Sequence, residues 1–370
     1  MVGMEHLGKS LRLVNLRKEF GDLVAVNDLN LEIKSGEFAS LLGPSGCGKT
    51  TTLNMIAGLL NPTNGHVYVG DTDITDLPPI DRNVGLVFQN YAVFGHMTVF
   101  DNLAFGLKVR KMQKEEVKEE VMKVAELLEL TDILKKKAGG LRLDEMQRTA
   151  LGRSMITKPA FFLLDEPLSN LDATLRSFMR VELKRIQREL NQTILYVTHD
   201  QIEAMSMADR IAIMNFGVLQ QYGTRAEVYD VPANRFVAGF IGSPTMNFID
   251  CSLLEKDGNA FLDTGEFQLD VTNLKDVIKK GSKGPELTIA IRPENIKVGT
   301  ETLSKNSIKT KVYLVEPLGA KTIVSVKVGD AIIKSLTPGA FRPNIDDDAY
   351  MDFDMQKMHI IDKKSELTIV

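Results

Sequence analysis

The sequence predicts an α/β protein with a mostly parallel sheet, an inserted helical subdomain and a smaller β-barrel domain after it. Three observations predict this fold class. Apolar strand runs alternate with helices up to about residue 243, residues 91–155 are patterned as helices, and short strands then follow without helices between them. Because 370 residues exceed one compact core, we expect two domains, 1–243 and 244–370.

The first predicted domain alternates buried-strand runs with amphipathic helices. Its predicted strands are at 11–14, 29–33, 37–42, 161–164 and 193–197, and its predicted helices include 51–57 and 173–190. Between the third and fourth strands, one helix face is formed by Val117, Val121, Val124 and Leu128. We therefore expect a helical insertion, at about 91–155, that buries this face.

The second predicted domain consists of short strands and turns. Strand runs occur at 287–291, 312–315 and 322–328, and in the last of them Val324, Val326 and Val328 alternate onto one face. Regularly spaced strands without helices are typical of a small β-barrel or a pair of barrels.

Composition excludes several classes of protein. The formal charge of −4 offers no basic excess for nucleic acid, so no nucleic-acid partner is expected. No apolar run approaches the roughly 20 residues of a membrane span, and the first residues lack a signal-peptide pattern. The two cysteines, Cys47 and Cys251, are far apart, which favours a reducing cytosol. Any link to a membrane is expected to run through a partner.

Residues 43–50 fit the phosphate-binding P-loop pattern at every fixed position, between a predicted strand and a predicted helix. Its glycines let backbone N–H groups converge on phosphate oxygens at the positive end of a helix. Lys49 is expected to reach the terminal phosphates, and the Thr50 hydroxyl to bind Mg²⁺. The sheet is therefore of the P-loop, RecA-like type, and the expected triphosphate-binding residues are Gly43, Pro44, Ser45, Gly46, Cys47, Gly48, Lys49, Thr50 and Thr51.

Two carboxylates, Asp165 and Glu166, end the apolar run at 161–164. Asp165 is expected to hold the metal shell, and Glu166 to polarise the attacking water. Two acids at a strand end are often only solvated, but beside a P-loop the catalytic interpretation is favoured.

At this point the chain resembles the ATPases of ABC transporters. The run 164–172 resembles their Walker B motif and D-loop, and Gln89, His199 and Phe20 match the Q-loop glutamine, the switch histidine and the aromatic that stacks on adenine. Segments at 242–244, 291–294 and 315–319 resemble the TOBE/OB-type extension of maltose- and glycerol-3-phosphate-importer ATPases. The resemblance covers the whole chain in order and spacing.

The resemblance implies roles for single residues. Gln89 completes the Mg²⁺ shell with Thr50 and Asp165, and His199 donates a hydrogen bond to the γ-phosphate of ATP. The catalytic candidates are therefore Glu166, His199 and Gln89. Phe20 fits an adenine-stacking residue and a core aromatic equally well.

One family motif is altered. Where these ATPases carry Leu-Ser-Gly-Gly-Gln, which faces the other subunit's P-loop, alignment on Gln147 and Arg148 places residues 141–145, Leu-Arg-Leu-Asp-Glu. Arg142 replaces the serine, and Leu143 and Asp144 obstruct the close approach that glycines allow. Asp144 and Glu145 suit a helix N-terminus but are expected to repel a triphosphate, at a cost of about 4 kcal/mol for an unscreened contact of ~4 Å.

Three interpretations of this segment follow. The chain pairs with a second, different ATPase subunit, which the sequence favours; or it forms a homodimer in which Arg142 acts in trans as an arginine finger; or both composite sites are slow. Arg142 could also neutralise Asp144.

The resemblance implies an ATP-hydrolysing subunit, peripheral at the cytoplasmic face of the cell membrane. Its expected partners are integral membrane permease subunits and, indirectly, a solute-binding protein. The C-terminal extension favours a sugar, polyol or glycerol derivative as the solute, although polyamine and metal importers have similar extensions. A nucleotide-dependent regulatory switch without transport is the second interpretation.

Overall fold

The computed structural model describes residues 8–304 and 307–370. Contacts divide the chain into two compact units, the first ending at Arg225 and the second running from Ala226 to Val370. In chain order, the first unit contains β1 (Leu11–Phe20), β2 (Leu23–Ile33), β3 (Phe38–Leu42), α1 (Lys49–Ala57), β4 (Asn64–Val69), β5 (Thr72–Asp73), β6 (Val84–Val87), α2 (Val99–Val109), α3 (Lys114–Leu127), α4 (Leu143–Met155), β7 (Phe161–Asp165), α5 (Ala173–Leu190), β8 (Ile194–Thr198), α6 (Gln201–Met207), β9 (Arg210–Asn215) and β10 (Val218–Thr224).

A six-stranded sheet in the order β10-β9-β3-β8-β7-β6 forms the centre of the first unit. Its inner pairs are parallel, and only β10 runs antiparallel to its neighbour β9. Strands β3 and β8 are buried along their whole length, as expected for a sheet covered on both faces. The predicted mostly parallel sheet is confirmed.

A second sheet of the first unit is antiparallel, in the order β2-β1-β4-β5. The sequence indicated strands here but not a separate sheet. Because β1 and β2 are joined by a tight turn at Gly21, without a crossover helix, they can only pair antiparallel. Leu11 and Leu29 of this sheet share one core with Leu41 and Phe161 of the central sheet.

The helical insertion, α2 to α4, lies in the chain between the paired strands β6 and β7. Val117 and Val121 are buried, as the helix periodicity predicted. Helices α2 and α4 approach closely, since a Cβ on Gly152 would lie 2.5 Å from Cδ2 of Leu103. The side chain of Thr98 caps α2 by accepting a hydrogen bond from the Asp101 N–H.

The second unit is mainly antiparallel β-structure. Helix α7 (Arg225–Asp230) leads into it, and its further elements are α8 (Arg235–Phe240), β11 (Asn247–Lys256), β12 (Asn259–Asp263), β13 (Gln268–Asp270), α9 (Lys275–Gly281), β14 (Glu286–Ile291), β15 (Ile296–Gly299), β16 (Ile308–Pro317), β17 (Lys321–Val328), β18 (Ala331–Pro338), β19 (Asp348–Phe353) and β20 (His359–Asp362).

Two five-stranded sheets, β13-β12-β11-β14-β20 and β15-β19-β16-β17-β18, enclose one core in this unit. Val324, Val326 and Val328 all belong to that core, so the predicted alternation of β17 is confirmed. Helix α7 lies with this unit because the Arg292 guanidinium, 3% exposed, donates to the carbonyl oxygens of Tyr229 and Ile241. The boundary between the two compact units therefore lies before residue 243. The domain limits 1–243 and 244–370 stay a prediction.

Within residues 8–304 and 307–370, no helix combines the length and apolarity needed to cross a membrane.

Candidate nucleotide site

The register of the parallel sheet brings the predicted site residues to one edge. Leu42 at the end of β3 lies opposite Thr198 at the end of β8. Val197 of β8 in turn lies opposite Asp165 at the end of β7. The P-loop, Glu166 and His199 follow directly after these strands, so their loops meet at the carboxyl edge, where open α/β sheets bind ligands.

Backbone geometry explains the P-loop glycines. Gly46 and Gly48 have positive φ angles of 79° and 103°, which side chains disfavour. A Cβ on Gly48 would lie 2.4 Å from the Ala25 carbonyl oxygen, and one on Gly43 would lie 2.3 Å from that of Met214. The loop is therefore packed against two other segments, and it tolerates no side chain at Gly43 or Gly48.

Helix α1 begins inside the P-loop, and no side chain caps its N-terminus. Its first N–H groups therefore remain available for an anion, at the positive end of the helix dipole. The Lys49 ammonium, 6% exposed, donates to the carbonyl oxygens of Gly43 and Pro44 at 2.8 Å each. Of the predicted loop residues, Cys47 turns its side chain into the core, and its thiol pKa is raised by burial.

A cleft of about 580 Å³ opens beside the P-loop, a size that suits a nucleotide. Phe20 lines it together with Ser45 and Thr51. Since Phe20 is 49% exposed, it is not a core residue. Sequence reasoning missed two other apolar residues of the cleft, Leu23 and Phe216, which are 65% and 84% exposed. A phenylalanine in the tight turn after β9 was the signal that could have revealed Phe216.

Asp165 and Thr50 form a pair of oxygen donors suited to Mg²⁺. The Thr50 side chain acts to lower the pKa of the Asp165 carboxylate, and Oδ1 of Asp165 is buried without a hydrogen-bond partner. Burial and the neighbouring Glu166 charge raise the pKa of Asp165. An orphaned carboxylate oxygen beside a hydroxyl fits a hard cation that takes its remaining ligands from phosphate and water. The side chain of Gln89, the third predicted metal ligand, points to Ser169 instead.

Glu166 and His199 lie in contact. Glu166 Oε1 is 3.1 Å from Nδ1 of His199, and the Glu166 side chain is 20% exposed. Glu166 adopts a left-handed φ of 44°, and its N–H donates to the Val197 carbonyl. A non-glycine residue held in this conformation is typical of a functional site. The structure therefore brings two of the three catalytic candidates together.

Gln89 is held by the loop after β7. Its Nε2 donates to the Ser169 hydroxyl at 3.1 Å, and the Ser169 hydroxyl donates to the Glu166 carbonyl at 2.9 Å. Asn170 Nδ2 donates to the Gln89 carbonyl at 3.1 Å. Gln89 therefore contacts the Glu166 loop through Ser169, a link that the sequence analysis did not identify.

Family models match three segments of the chain. Residues 26–169 match "ABC transporter", residues 242–296 match "MalK OB fold domain" and residues 289–361 match "TOBE domain". The trehalose/maltose import ATP-binding protein MalK of Thermococcus litoralis is 48% identical, over 95% of this chain and 97% of that protein.

The chain belongs to the ABC transporter family. It is an ABC-type ATPase with a C-terminal OB/TOBE β-barrel, as the sequence predicted, and it binds ATP. The sn-glycerol-3-phosphate import ATP-binding protein UgpC of Yersinia pseudotuberculosis is 44% identical, over 88% of this chain and 90% of that protein. A solved dimeric ATP-binding cassette, in a post-hydrolysis state with ADP and Pi, matches with a TM-score of 0.52 and 30% identity, over 58% of this chain and 98% of that one.

The altered signature of this ABC ATPase forms the start of α4. Arg142 is the N-cap residue, and its N–H donates to the Glu145 carboxylate at 2.9 Å. The Arg142 guanidinium binds Asp144 with two hydrogen bonds, of 3.0 and 2.6 Å. Arg148 adds a third at 3.1 Å, and Lys136 lies 3.4 Å from Glu145.

These contacts correct the expectation that Asp144 and Glu145 repel a triphosphate. Asp144 is only 5% exposed and is neutralised by two guanidinium groups, while Glu145 is folded back onto its own helix. The Arg142 side chain, in contrast, is 75% exposed. The charge that this segment presents to solvent is therefore that of Arg142.

Substituting Gly48 should abolish nucleotide binding, because Gly48→Ala places a Cβ against the Ala25 carbonyl at a positive φ. The matched control is Gly46→Ala, which has a positive φ but open space around its Cβ. Backbone strain of about 1–2 kcal/mol should weaken binding there by roughly 5- to 30-fold. Equal affinities of the two variants for a fluorescent ATP analogue would contradict the steric argument.

The pH dependence of stability should report the Asp144 cluster. The two arginines lower the pKa of Asp144 from 3.8 to about 2. The stabilisation is therefore complete at a pH above the pKa of the unfolded state, and it is lost as the pH falls through the pKa of the folded state. Urea unfolding should therefore show a loss between about pH 4 and pH 2 that Asp144→Asn removes. The exposed Asp71→Asn is the control, and an unchanged pH profile in Asp144→Asn would contradict the assignment.

Proposed function

We propose that this chain is the ATP-hydrolysing subunit of an importer for sugars or glycerol phosphates, bound by permease subunits at the cytoplasmic face of the membrane. The observation behind it is that the P-loop, the acids Asp165 and Glu166, and His199 meet at one sheet edge in a chain whose full-length relatives are named as import ATP-binding proteins. The solute class follows from those relatives, which import trehalose/maltose and sn-glycerol-3-phosphate.

The P-loop holds the phosphates in this proposal. Backbone N–H groups at the start of α1 face the anion, and the Lys49 ammonium leaves the Gly43 and Pro44 carbonyls to bind the terminal phosphates. Phe20 lines the cleft at the position expected for the adenine.

Thr50 and Asp165 supply the metal oxygens, and Gln89 joins them when it leaves Ser169. Mg²⁺ bound there would neutralise charge on the β- and γ-phosphates. Within the described residues no cluster of three or more His, Cys, Asp or Glu side chains could hold a metal ion.

Glu166 orients the attacking water, and His199 stabilises the charge that develops on the γ-phosphate oxygens. Because Nδ1 of His199 faces the Glu166 carboxylate, Nε2 is the atom left to face phosphate, and it donates to a phosphate oxygen when it carries a proton. The Glu166 contact thus fixes the ring orientation that the reaction uses.

We infer that the second subunit is another copy of this chain. Neither the relatives nor the geometry supports a second, different ATPase, and the related cassette bound to ADP and Pi is dimeric. When Arg142 leaves Asp144, Arg148 still pairs with the buried carboxylate, so its charge does not remain unpaired. The exposed guanidinium can then bind the partner's γ-phosphate in trans.

The permease-binding surface is a groove between the helical insertion and the segment after β6. It has a volume of about 150 Å³, and its lining includes Phe88, Phe105 and Arg153. Both phenylalanines are 38% exposed, while the Tyr91 hydroxyl in the same groove is buried without a partner. Because Phe88 precedes Gln89 in the chain, a helix docked in this groove would lie close to a residue of the nucleotide site.

The purified chain should hydrolyse ATP as a homodimer, and Glu166→Gln should bind ATP, dimerise and not turn over. Arg142→Ala should retain ATP affinity but lose turnover by a factor that approaches the ~10³ of an arginine finger. The measurements are steady-state ATPase rates and light scattering with and without ATP.

Arg142→Lys and Arg188→Ala are the controls. The lysine keeps the charge without the planar fork and should give an intermediate rate, whereas Arg188 lies on α5 and its loss should have no effect. Wild-type turnover in Arg142→Ala would eliminate the trans role. An inactive wild-type chain would instead argue against the homodimer.

Phe105→Asp should prevent co-purification with the permease subunits and stop transport, because it replaces an exposed aromatic side chain of the groove with a charge. The ATPase rate of the chain alone should stay unchanged. Phe178→Asp is the matched control, since Phe178 is also exposed, at 52%, but lies on α5. Transport at the wild-type rate in Phe105→Asp would remove the groove as the docking site.

A further inference from the structure

A buried carboxylate is hydrogen-bonded to the residue that precedes the switch histidine, His199. Glu203, in the first turn of α6, is only 3% exposed. Its Oε2 accepts hydrogen bonds from the Tyr196 hydroxyl at 2.8 Å and from the Thr198 hydroxyl at 2.7 Å. Burial raises the pKa of Glu203, against the two hydroxyls that lower it. Burying a carboxylate is costly, and an apolar side chain often stabilises such a site as well or better.

Thr198 extends this network to His199. Its hydroxyl donates to Glu203 and accepts a hydrogen bond from the Asp200 N–H at 3.0 Å. Thr198 and Asp200 are the chain neighbours of His199. The backbone on both sides of the histidine is therefore fixed by one hydroxyl group, whose orientation is set by Glu203.

Arg176 joins the same network to the loop that follows Glu166. Its Nη2 donates to the Leu171 carbonyl at 3.0 Å, and its Nη1 lies 3.5 Å from Oδ2 of Asp200. Its Nε is 3.9 Å from Oε1 of Glu203. Both loops that must keep Glu166 and His199 in contact are thus held to one group of charges, of which Glu203 is buried.

We propose that Glu203 is a positioning residue for ATP hydrolysis, which acts through Thr198 to hold His199 against Glu166. The inference rests on the proposed role of His199 in hydrolysis. Glu203 is buried and does not line the nucleotide cleft, so its effect is on the rate of the chemical step rather than on ATP binding. A misplacement of about 1 Å in a reacting group can lower a rate by roughly 100-fold.

Two variants separate positioning from stability, because each removes one hydrogen bond to the same Glu203 oxygen. Thr198→Val breaks the bond on the His199 side, together with the bond that the Thr198 hydroxyl accepts from the Asp200 N–H, and Tyr196→Phe breaks the one on the opposite side. We expect Thr198→Val to lower kcat about 10- to 100-fold with KM for ATP within about threefold of the wild type, and Tyr196→Phe to keep kcat within about threefold. Thr198→Ser, which retains the hydroxyl, should restore kcat.

The measurements are steady-state ATP turnover and thermal unfolding of the full chain. Equal losses of kcat in Thr198→Val and Tyr196→Phe would overturn the inference, because the effect would then follow stability. In a His199→Ala background, Thr198→Val should cause no further loss, since residues that act as a unit are not additive. An additional loss there would also overturn it. Wild-type turnover in His199→Ala would instead refute the proposed role of the histidine itself.

Discussion

The register of three parallel strands is the constraint on which the nucleotide site depends. Because β3, β8 and β7 end level with one another, the P-loop, the switch histidine and the two acids emerge at the same edge. A slip of one residue would turn every buried side chain of a strand to the opposite face. The complete burial of β3 and β8 makes such a slip costly, so the core of the first unit also sets the geometry of the site.

Around that edge, each reactive group is held by something other than nucleotide. Lys49 is engaged by carbonyls of its own loop, Gln89 by Ser169, and His199 by Glu166. In the proposed mechanism, ATP replaces the first two of these contacts and the third is kept. Since the Ser169 hydroxyl accepts from Gln89 and donates to the Glu166 backbone carbonyl, two hydrogen bonds link Gln89 to the backbone of Glu166.

The altered signature keeps a helix N-terminus but exchanges its chemistry. A glycine-rich cap binds phosphate through backbone N–H groups, whereas here the Glu145 carboxylate accepts from the N–H of Arg142, and the Arg142 side chain projects into solvent. A positive side chain therefore replaces the positive end of a helix. The ion pairs of Asp144 with Arg142 and Arg148 explain how an acid is tolerated in the altered signature, because they neutralise its charge before any phosphate approaches.

Sequence alone determined the order of the elements, the P-loop, and the position of Asp165 and Glu166 at the end of an apolar strand, because these depend on local spacing and strand periodicity. It could not determine which side chains meet across loops. The sign of the charge at residues 141–145 was wrong for that reason: two adjacent acids indicate repulsion until Arg142, Arg148 and Lys136 are seen to fold onto them. The separate antiparallel sheet, the apolar cleft residues Leu23 and Phe216, and the Glu203 network were decided only by tertiary structure, since each joins residues that no periodicity relates.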